Sequence, residues 1–215
     1  MIKSLGRPKG ESEVRERLIY HARELFTSMP YNKVSTRLIA NNAKVNIAMI
    51  RYYFGNKEGL FEAMFKETLA PVQKQLAILM DNNTEQDLIE LMRTYYRVMM
   101  KTPTFPKLIL RTMEADAEHQ NLLQNIILNT LKPMQSMLID PVFHSDIFKD
   151  GIDPIKARLS FISLMVFPFL APTKLLTMHG VQLDETFLSD LLEHNIRLLS
   201  EGLLQNDRDI PYENK

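Results

Sequence analysis

The sequence predicts an all-α protein, and three observations carry the prediction. Apolar residues recur with the period of a helix along most of the chain. Glycine is scarce, at 7 of 215 residues. No segment shows the two-residue alternation of a half-buried strand. Hydrophobic residues make up 45% and charged residues 24%, an ordinary globular balance. The chain has no cysteine, which excludes disulfide and thiolate chemistry and suits a reducing compartment. No charged n-region precedes an apolar h-region, so no secretory signal is expected. The longest apolar run, around Leu159 to Leu176, is interrupted by Pro168, Pro172, Thr173 and Lys174, short of a membrane span.

Residues 1–10, MIKSLGRPKG, combine glycine, proline and three cations and read as a flexible basic arm. From about 11 to 28, Leu18, Ala22, Leu25 and Phe26 fall on one helix face, and Pro30 ends that helix. Ser35 or Thr36 caps a short helix to about Asn42, with Leu38 and Ile39 inward. Ala43-Lys44-Val45 is a turn, and Asn46 caps a second short helix over 46–53. Gly55-Asn56 stops it, and Asn56 caps a long helix in which Phe61, Phe65, Leu69, Val72, Leu76 and Leu79 keep the period through a kink at Pro71. Thr84-x-x-Asp87 opens a helix to about Lys101, and Pro103 and Pro106 break the chain after it. A short helix over 107–114 precedes a longer one over 117–139, with Leu122, Ile126, Thr130 and Met134 in one row. Residues 140–152 read as loop. Asp153-Pro154 supplies a cap and first helical position for a helix to about Leu176. Asp184 caps a last amphipathic helix carrying Phe187, Leu191, Asn195, Leu198 and Leu199, and a polar tail follows from about Asn206.

The net charge of zero hides an asymmetry. Residues 1–60 carry 11 Lys and Arg against 5 Asp and Glu, and residues 61–215 carry 15 against 21. A basic third on an acidic remainder predicts two parts with different partners, the basic one suited to a polyanion. Inside that third, the second and third of three short helices are joined by a three-residue turn. This is the helix-turn-helix layout, whose second helix lies in the major groove. Here that helix reads NIAMIRYY, and its apolar run Ile47-Ala48-Met49-Ile50 is wider than the one core stripe a two-turn helix needs. Ile50 and Phe54, spaced i, i+4, are expected to anchor the helix. Ile47, Ala48 and Met49 are left at its exposed start, where thymine methyls can meet them and Arg51 can read guanine.

Residues 15–61 resemble the TetR family of bacterial helix-turn-helix transcriptional repressors. The likeness rests on Arg17, Ala22, Leu25, Phe26, Tyr31, Ser35, Thr36, Ile39, Ala40, Ala43, Val45, Tyr53, Phe54, Lys57, Glu58 and Leu60, and above all on the run YYFGNKEGLF. It implies a three-helix DNA-binding head joined by a long helix to a larger helical effector-binding and dimerisation domain. The chain then divides into a basic arm at 1–10, a helix-turn-helix domain at 11–57, a ligand-binding and dimerisation domain at 58–205 and a tail at 206–215. By position, the resemblance assigns DNA contacts to Ser35, Thr36, Arg37, Lys44, Asn46, Ile47, Ala48, Met49, Arg51, Tyr52, Tyr53 and Lys57. The Gly-Arg-Pro of the arm fits a minor groove with Arg7 inserted, or a solvated terminus. Two positions depart from the family pattern: Lys44 stands where glycine is usual, and Arg51 where an aromatic is usual.

Beyond residue 61 the sequence is rich in methionine and aromatics, most of them core. The resemblance implies an effector pocket between helices there. Tyr95, Met99, Met113 and Met165 are its candidate lining, and Arg111 and Glu114 its polar handles. It also implies a homodimer through the last two helices, about 153–202. The five histidines show no metal-ligand spacing, and no Gly-rich phosphate loop or Gly-x-Ser-x-Gly occurs, so neither enzyme, metal nor cofactor is expected. The reading is a cytoplasmic, nucleoid-associated repressor that binds a palindromic operator as a dimer and is released by a small apolar or amphipathic effector. A DNA-binding architectural or division-linked protein, whose C-terminal domain binds a protein partner, remains the alternative.

Overall fold

The computed structural model describes residues 9–82, 84–113, 120–139 and 147–205. The described residues are helical apart from connections and one isolated antiparallel bridge, Phe148 to Leu204, so the all-α expectation holds. The helices are α1 (Lys9–Ser28), α2 (Thr36–Ala43), α3 (Ala48–Phe54), α4 (Lys57–Asn82), α5 (Glu85–Lys101), α6 (Phe105–Met113), α7 (Gln120–Ile139), α8 (Pro154–Leu170), α9 (Thr173–Met178) and α10 (Glu185–Gly202). A 3-10 turn at Tyr31–Lys33 follows α1. No described helix is long and apolar enough to cross a membrane. The chain forms two compact units: Met1–Thr68 with Leu108–Thr130, and Leu69–Lys107 with Leu131–Lys215.

In the first unit, Leu18, Ala22 and Phe26 of α1 are buried together with Ile39 and Ala43 of α2, Ile50 of α3, and Leu60, Phe61, Met64 and Phe65 of α4. An aromatic cluster closes the end of α1. Phe26 stacks on Tyr31 at 5.3 Å, and Phe61 meets both edge-on at 5.1 and 5.5 Å. Arg15 reaches Glu67 at 2.5 Å, and the Arg23 Nε donates to Thr68 Oγ1 at 2.9 Å, which ties α1 along the first half of α4.

In the second unit, α5 packs against α8 and α10. It buries Leu88, Met92, Tyr95, Tyr96 and Met99 against Phe161, Met165 and Phe169 of α8 and Leu188, Ile196 and Leu199 of α10. A proline explains the polar knot at its centre. Pro168 sits inside α8 and has no N–H, so the carbonyl of Leu164, four residues earlier, loses its helical donor. Two side chains from other helices replace it: Tyr96 Oη donates at 3.0 Å and Asn195 Nδ2 at 3.1 Å. Asn195 also donates to Tyr96 Oη at 3.0 Å. Both side chains are buried, so every polar atom of the knot depends on the others.

Three elements differ from the sequence reading. The helix expected over 153–176 ends at Leu170, because Ala171 turns extended ahead of Pro172 and α9 begins separately; a residue before proline is pushed out of the helical region. The helix expected from 107 starts at Phe105, with Pro106 in its first turn, where no N–H is needed. The 3-10 turn at Tyr31–Lys33 was not anticipated. α7 is described from Gln120, so the expected start at 117 lies outside the described residues.

Candidate DNA-binding surface

Local chemistry places each side chain of the head. Ser35 takes the extended conformation before α2, and its Oγ accepts the Leu38 N–H at 3.1 Å, so Ser35 rather than Thr36 is the cap. Lys44 closes α2 with φ 54° and ψ 45°, its N–H donating to the Ala40 and Asn41 carbonyls. It is the one non-glycine residue with positive φ among those described. Left-handed backbone costs a side chain such as this about 1 kcal/mol, and here it turns the chain from α2 into α3 within a few residues. Asn46 Oδ1 accepts the Ala48 N–H at 2.9 Å and starts α3. Asn56 Oδ1 accepts the Gly59 N–H at 2.8 Å and starts α4.

α3 divides as its sequence suggested. Ile50 is buried and Phe54 half-buried, with the Arg15 guanidinium 5.4 Å from the Phe54 ring centre. On the outer side Ile47 is 47% exposed and Tyr52 67% exposed, beside exposed Ala48 and Arg51. Met49 and Tyr53 are half-buried, and the Tyr52 and Tyr53 rings meet edge-on at 4.9 Å. Ser35, Arg37, Lys44 and Asn46 are exposed and Thr36 is half-buried.

The electrostatics of this surface are one-sided. No Asp or Glu occurs between Glu24 and Glu58, a stretch holding Lys33, Arg37, Lys44, Arg51 and Lys57. Lys33, Arg37, Lys44 and Arg51 are exposed, and none forms an ion pair among the described residues. Charges left unpaired in one patch are the footprint of a polyanion site.

Lys57 is different. Its Nζ donates to the Tyr31 carbonyl at 2.8 Å and lies 3.8 Å from the centre of the Tyr31 ring. The Tyr31 hydroxyl donates to Glu58 Oε1 at 3.0 Å. Burial pushes the Lys57 ammonium below the usual lysine range, and Glu58 partly offsets it. Burial, the hydrogen bond to Glu58 and the charge of Glu58 all push the Tyr31 phenol up. Lys57 therefore holds the end of α1 to the start of α4. Any phosphate contact it makes uses N–H groups left over from that task.

Two residues of this region carry structure that the sequence reading did not assign. A Cβ on Gly59 would lie 2.1 Å from the Phe54 carbonyl oxygen, so the turn from α3 into α4 needs glycine at that position. Arg111 was expected to be a polar handle for an effector. Its Nη2 instead donates to the Phe26 carbonyl at 2.8 Å and the Met29 carbonyl at 3.1 Å. Met113, in the same unit, is exposed. Tyr95, Met99 and Met165 lie in the second unit and are buried; Tyr95 packs edge-on against Phe169 at 5.9 Å, and burial raises its phenol. Arg7 and Glu114 lie outside the described residues. A half-open groove of 410 Å³ in the second unit is lined by other residues, among them Arg97, Met100, Lys101, Leu183, Leu188 and Leu192.

Comparison with known proteins agrees with this geometry. Residues 18–64 match the family model described as bacterial regulatory proteins, tetR family. The chain is 33% identical over 81 residues to the probable HTH-type transcriptional regulator YttP of Bacillus subtilis (strain 168); the match takes in 36% of this chain and 39% of that protein. The chain thus matches about two fifths of the length of that curated relative. Among solved structures, native NalD, the secondary repressor of the MexAB-OprM multidrug efflux pump in Pseudomonas aeruginosa, superposes with a TM-score of 0.62 at 18% identity, covering 93% of this chain and 100% of that one. The transcriptional regulator FadR of Bacillus subtilis, solved in complex with stearoyl-CoA, superposes with a TM-score of 0.59 at 19% identity, covering 87% of this chain and 98% of that one. The helix-turn-helix, the unpaired cations around it and the match over residues 18–64 lead to one conclusion: that segment is a helix-turn-helix domain similar to those of the bacterial regulatory proteins of the tetR family.

Proposed function

We propose that the chain is a dimeric repressor that binds a palindromic operator and leaves it when a small apolar or amphipathic effector binds. The observation that carries the DNA reading is the carboxylate-free stretch between Glu24 and Glu58, with its exposed cations arranged around α3. In this reading Ser35, Thr36, Arg37, Lys44 and Tyr53 hold phosphates, and Arg51 reads guanine. Ile47 and Ala48 meet thymine methyls, with Met49 and Tyr52 beside them. The Asn46 side-chain carbonyl caps α3, and its NH2 is left to donate to a base. Lys57 adds a backbone contact, and Arg7 of the arm enters the minor groove.

Dimerisation is supported by α8. Its residues 155, 159, 162, 166 and 170 are Ile, Leu, Ile, Val and Leu, a stripe opposite the face packed on α5. Ile155 is 68% and Leu159 65% exposed. An apolar stripe opposite the packed face is one that a further surface can cover. A second copy would cover this stripe and supply the two-fold symmetry of a palindromic site. The effector part rests on the family and on the buried Tyr95, Met99 and Met165, whose lining suits an apolar ligand. The stearoyl-CoA bound by the Bacillus subtilis FadR is a ligand of that class.

The test is selection of duplexes from a random pool with the full chain. The expected outcome is a palindromic consensus whose binding weakens by about 0.9 log unit per log unit of salt for each phosphate engaged. Affinity should fall when uracil replaces thymine opposite Ile47. A pool that yields no consensus, or binding indifferent to salt, overturns the reading.

A further inference from the structure

The end of α1 repeats, in the first unit, the chemistry of the knot at Leu164. Pro30 has no N–H, so the carbonyl of Phe26, four residues earlier, has no helical donor. The next turn does not serve Met29 either, because the Lys33 N–H goes to the Pro30 carbonyl and the Val34 N–H to the Tyr31 carbonyl. One Arg111 nitrogen, from α6, donates to both Phe26 and Met29. The sequence separation is 85 residues for the first bond and 82 for the second. A guanidinium at a helix C-terminus also meets the negative end of the helix dipole.

The same corner is held from the other side by the head. Tyr31 stacks on Phe26, and its carbonyl and ring engage the Lys57 ammonium. Its hydroxyl engages Glu58. Lys57 and Glu58 open α4 directly after α3, and Gly59 packs on the last carbonyl of α3. A continuous set of contacts therefore runs from α6 through Arg111 to the end of α1, and on through Tyr31 to the turn that ends the recognition helix. Leu108–Met113 of α6 and the first part of α7 are the pieces of this unit that come from beyond the head in sequence.

We propose that Arg111 is a positioning residue for the DNA-binding head. It holds the orphaned carbonyls of Phe26 and Met29, so that displacement of α6 releases the end of α1 and loosens the seat of α3. The inference rests on the DNA-binding reading above, and assigns Arg111 to control of the head rather than to effector contact.

The test uses the full chain and the duplex selected with it from the random pool. Arg111→Met is expected to weaken duplex binding about fivefold, the low end of a typical coupling. It should speed amide exchange across residues 27–33 and leave the salt slope unchanged. Arg111→Lys, which keeps a donor, should restore most of the affinity. In a Pro30→Ala background residue 30 regains an N–H for the Phe26 carbonyl, and Arg111→Met should then cost less than about twofold. Four results overturn the proposal: unchanged affinity and exchange in Arg111→Met; an undiminished loss in the Pro30→Ala background; a salt slope lowered by about one, which would make Arg111 a phosphate contact; and no rescue by lysine. If the wild-type chain selects no duplex, the DNA reading fails first and this role falls with it, and the wild-type control tells the two failures apart.

Discussion

The knot at Leu164 makes a quantitative prediction, because its three polar groups are shared by three helices and two of them, the Tyr96 and Asn195 side chains, are buried. Tyr96→Phe removes one donor to the Leu164 carbonyl and one acceptor for Asn195, but leaves Asn195 Nδ2 on that carbonyl at 3.1 Å. Asn195→Leu leaves Tyr96 Oη on it at 3.0 Å. Each single change therefore keeps the carbonyl satisfied and costs about 1 kcal/mol, the net worth of a lost hydrogen bond. The double variant strips it of both donors, and Pro168 cannot supply a third. A buried carbonyl with no partner costs about 1–3 kcal/mol more. The double variant should thus exceed the sum of the singles by about 2 kcal/mol. With a urea slope of about 2 kcal/mol/M, that excess moves the midpoint by about 1 M. The assay is urea unfolding by circular dichroism at one fixed protein concentration, which keeps any association constant. Pro168→Ala gives the control: residue 168 then donates to Leu164 itself, and the excess should vanish. Additive singles with Pro168 present, or an excess that survives Pro168→Ala, would refute the account of the orphaned carbonyl.

Three further outcomes are expected. Gly59→Ala should destabilise the first unit by about 1–3 kcal/mol, the usual cost of overpacking, and lower duplex affinity with it; wild-type melting of that unit would show that the Phe54 carbonyl moves aside. Tyr96 is pushed up to about 12 by burial, against an opposing hydrogen bond from Asn195. With an unfolded value near 10, its contribution is complete below pH 10 and lost as pH rises through 12. Tyr96→Phe should therefore remove up to roughly 2–3 kcal/mol of the stability lost over that window, read as a flatter pH profile of the urea midpoint. Leu159→Glu should convert the proposed dimer to a monomer in sedimentation and weaken duplex binding while leaving helix content unchanged; a dimer that survives it places the two-fold elsewhere.

The head was readable from the sequence because its structure is made locally. Ser35, Asn46 and Asn56 each cap a helix that starts within three residues of them, and Ile50 and Phe54 anchor α3 through a spacing visible in the sequence. The left-handed Lys44 was legible only through the resemblance, which has glycine usual at that position. Arg111 was not readable in this way. Its partners are backbone carbonyls more than 80 residues away, and a carbonyl leaves no mark on the sequence. Only the proline that orphans it does, and Pro30 had been read solely as a helix stop. The same blindness hid the tie between Tyr96, Asn195 and Leu164. Asn195 stood in the apolar row of the last helix with no stated reason for a polar group there, and Pro168 supplies the reason. The break after Leu170 was missed because the apolar pattern runs on through Pro172, while backbone sterics do not.

The exposed apolar side chains fall into two sets, and their neighbours separate the partners they fit. Ile47 and Tyr52 stand among Arg37, Lys44 and Arg51 with no carboxylate in the surrounding sequence. A protein partner would have to bury those cations at a cost, whereas a duplex offers methyls and phosphates side by side. On α8 the stripe from Ile155 to Leu170 carries no charge, so only an apolar surface gains by covering it. Ile155 and Leu159 of the stripe, and Phe167 beside it, are each more than half exposed, and covering all three on two copies returns on the order of 6–10 kcal/mol. Association costs an estimated 4–15 kcal/mol, so this stripe alone leaves a dimer marginal. α10 supplies a second one, with Phe187, Leu191 and Leu198 on a common face turned away from buried Leu188, Ile196 and Leu199. Asn195, on the inner side of α10, is bonded to the Leu164 carbonyl of α8. The knot thus links the two helices that carry the stripes, and the proposed dimer would depend on a hydrogen bond made on the inner side of α10.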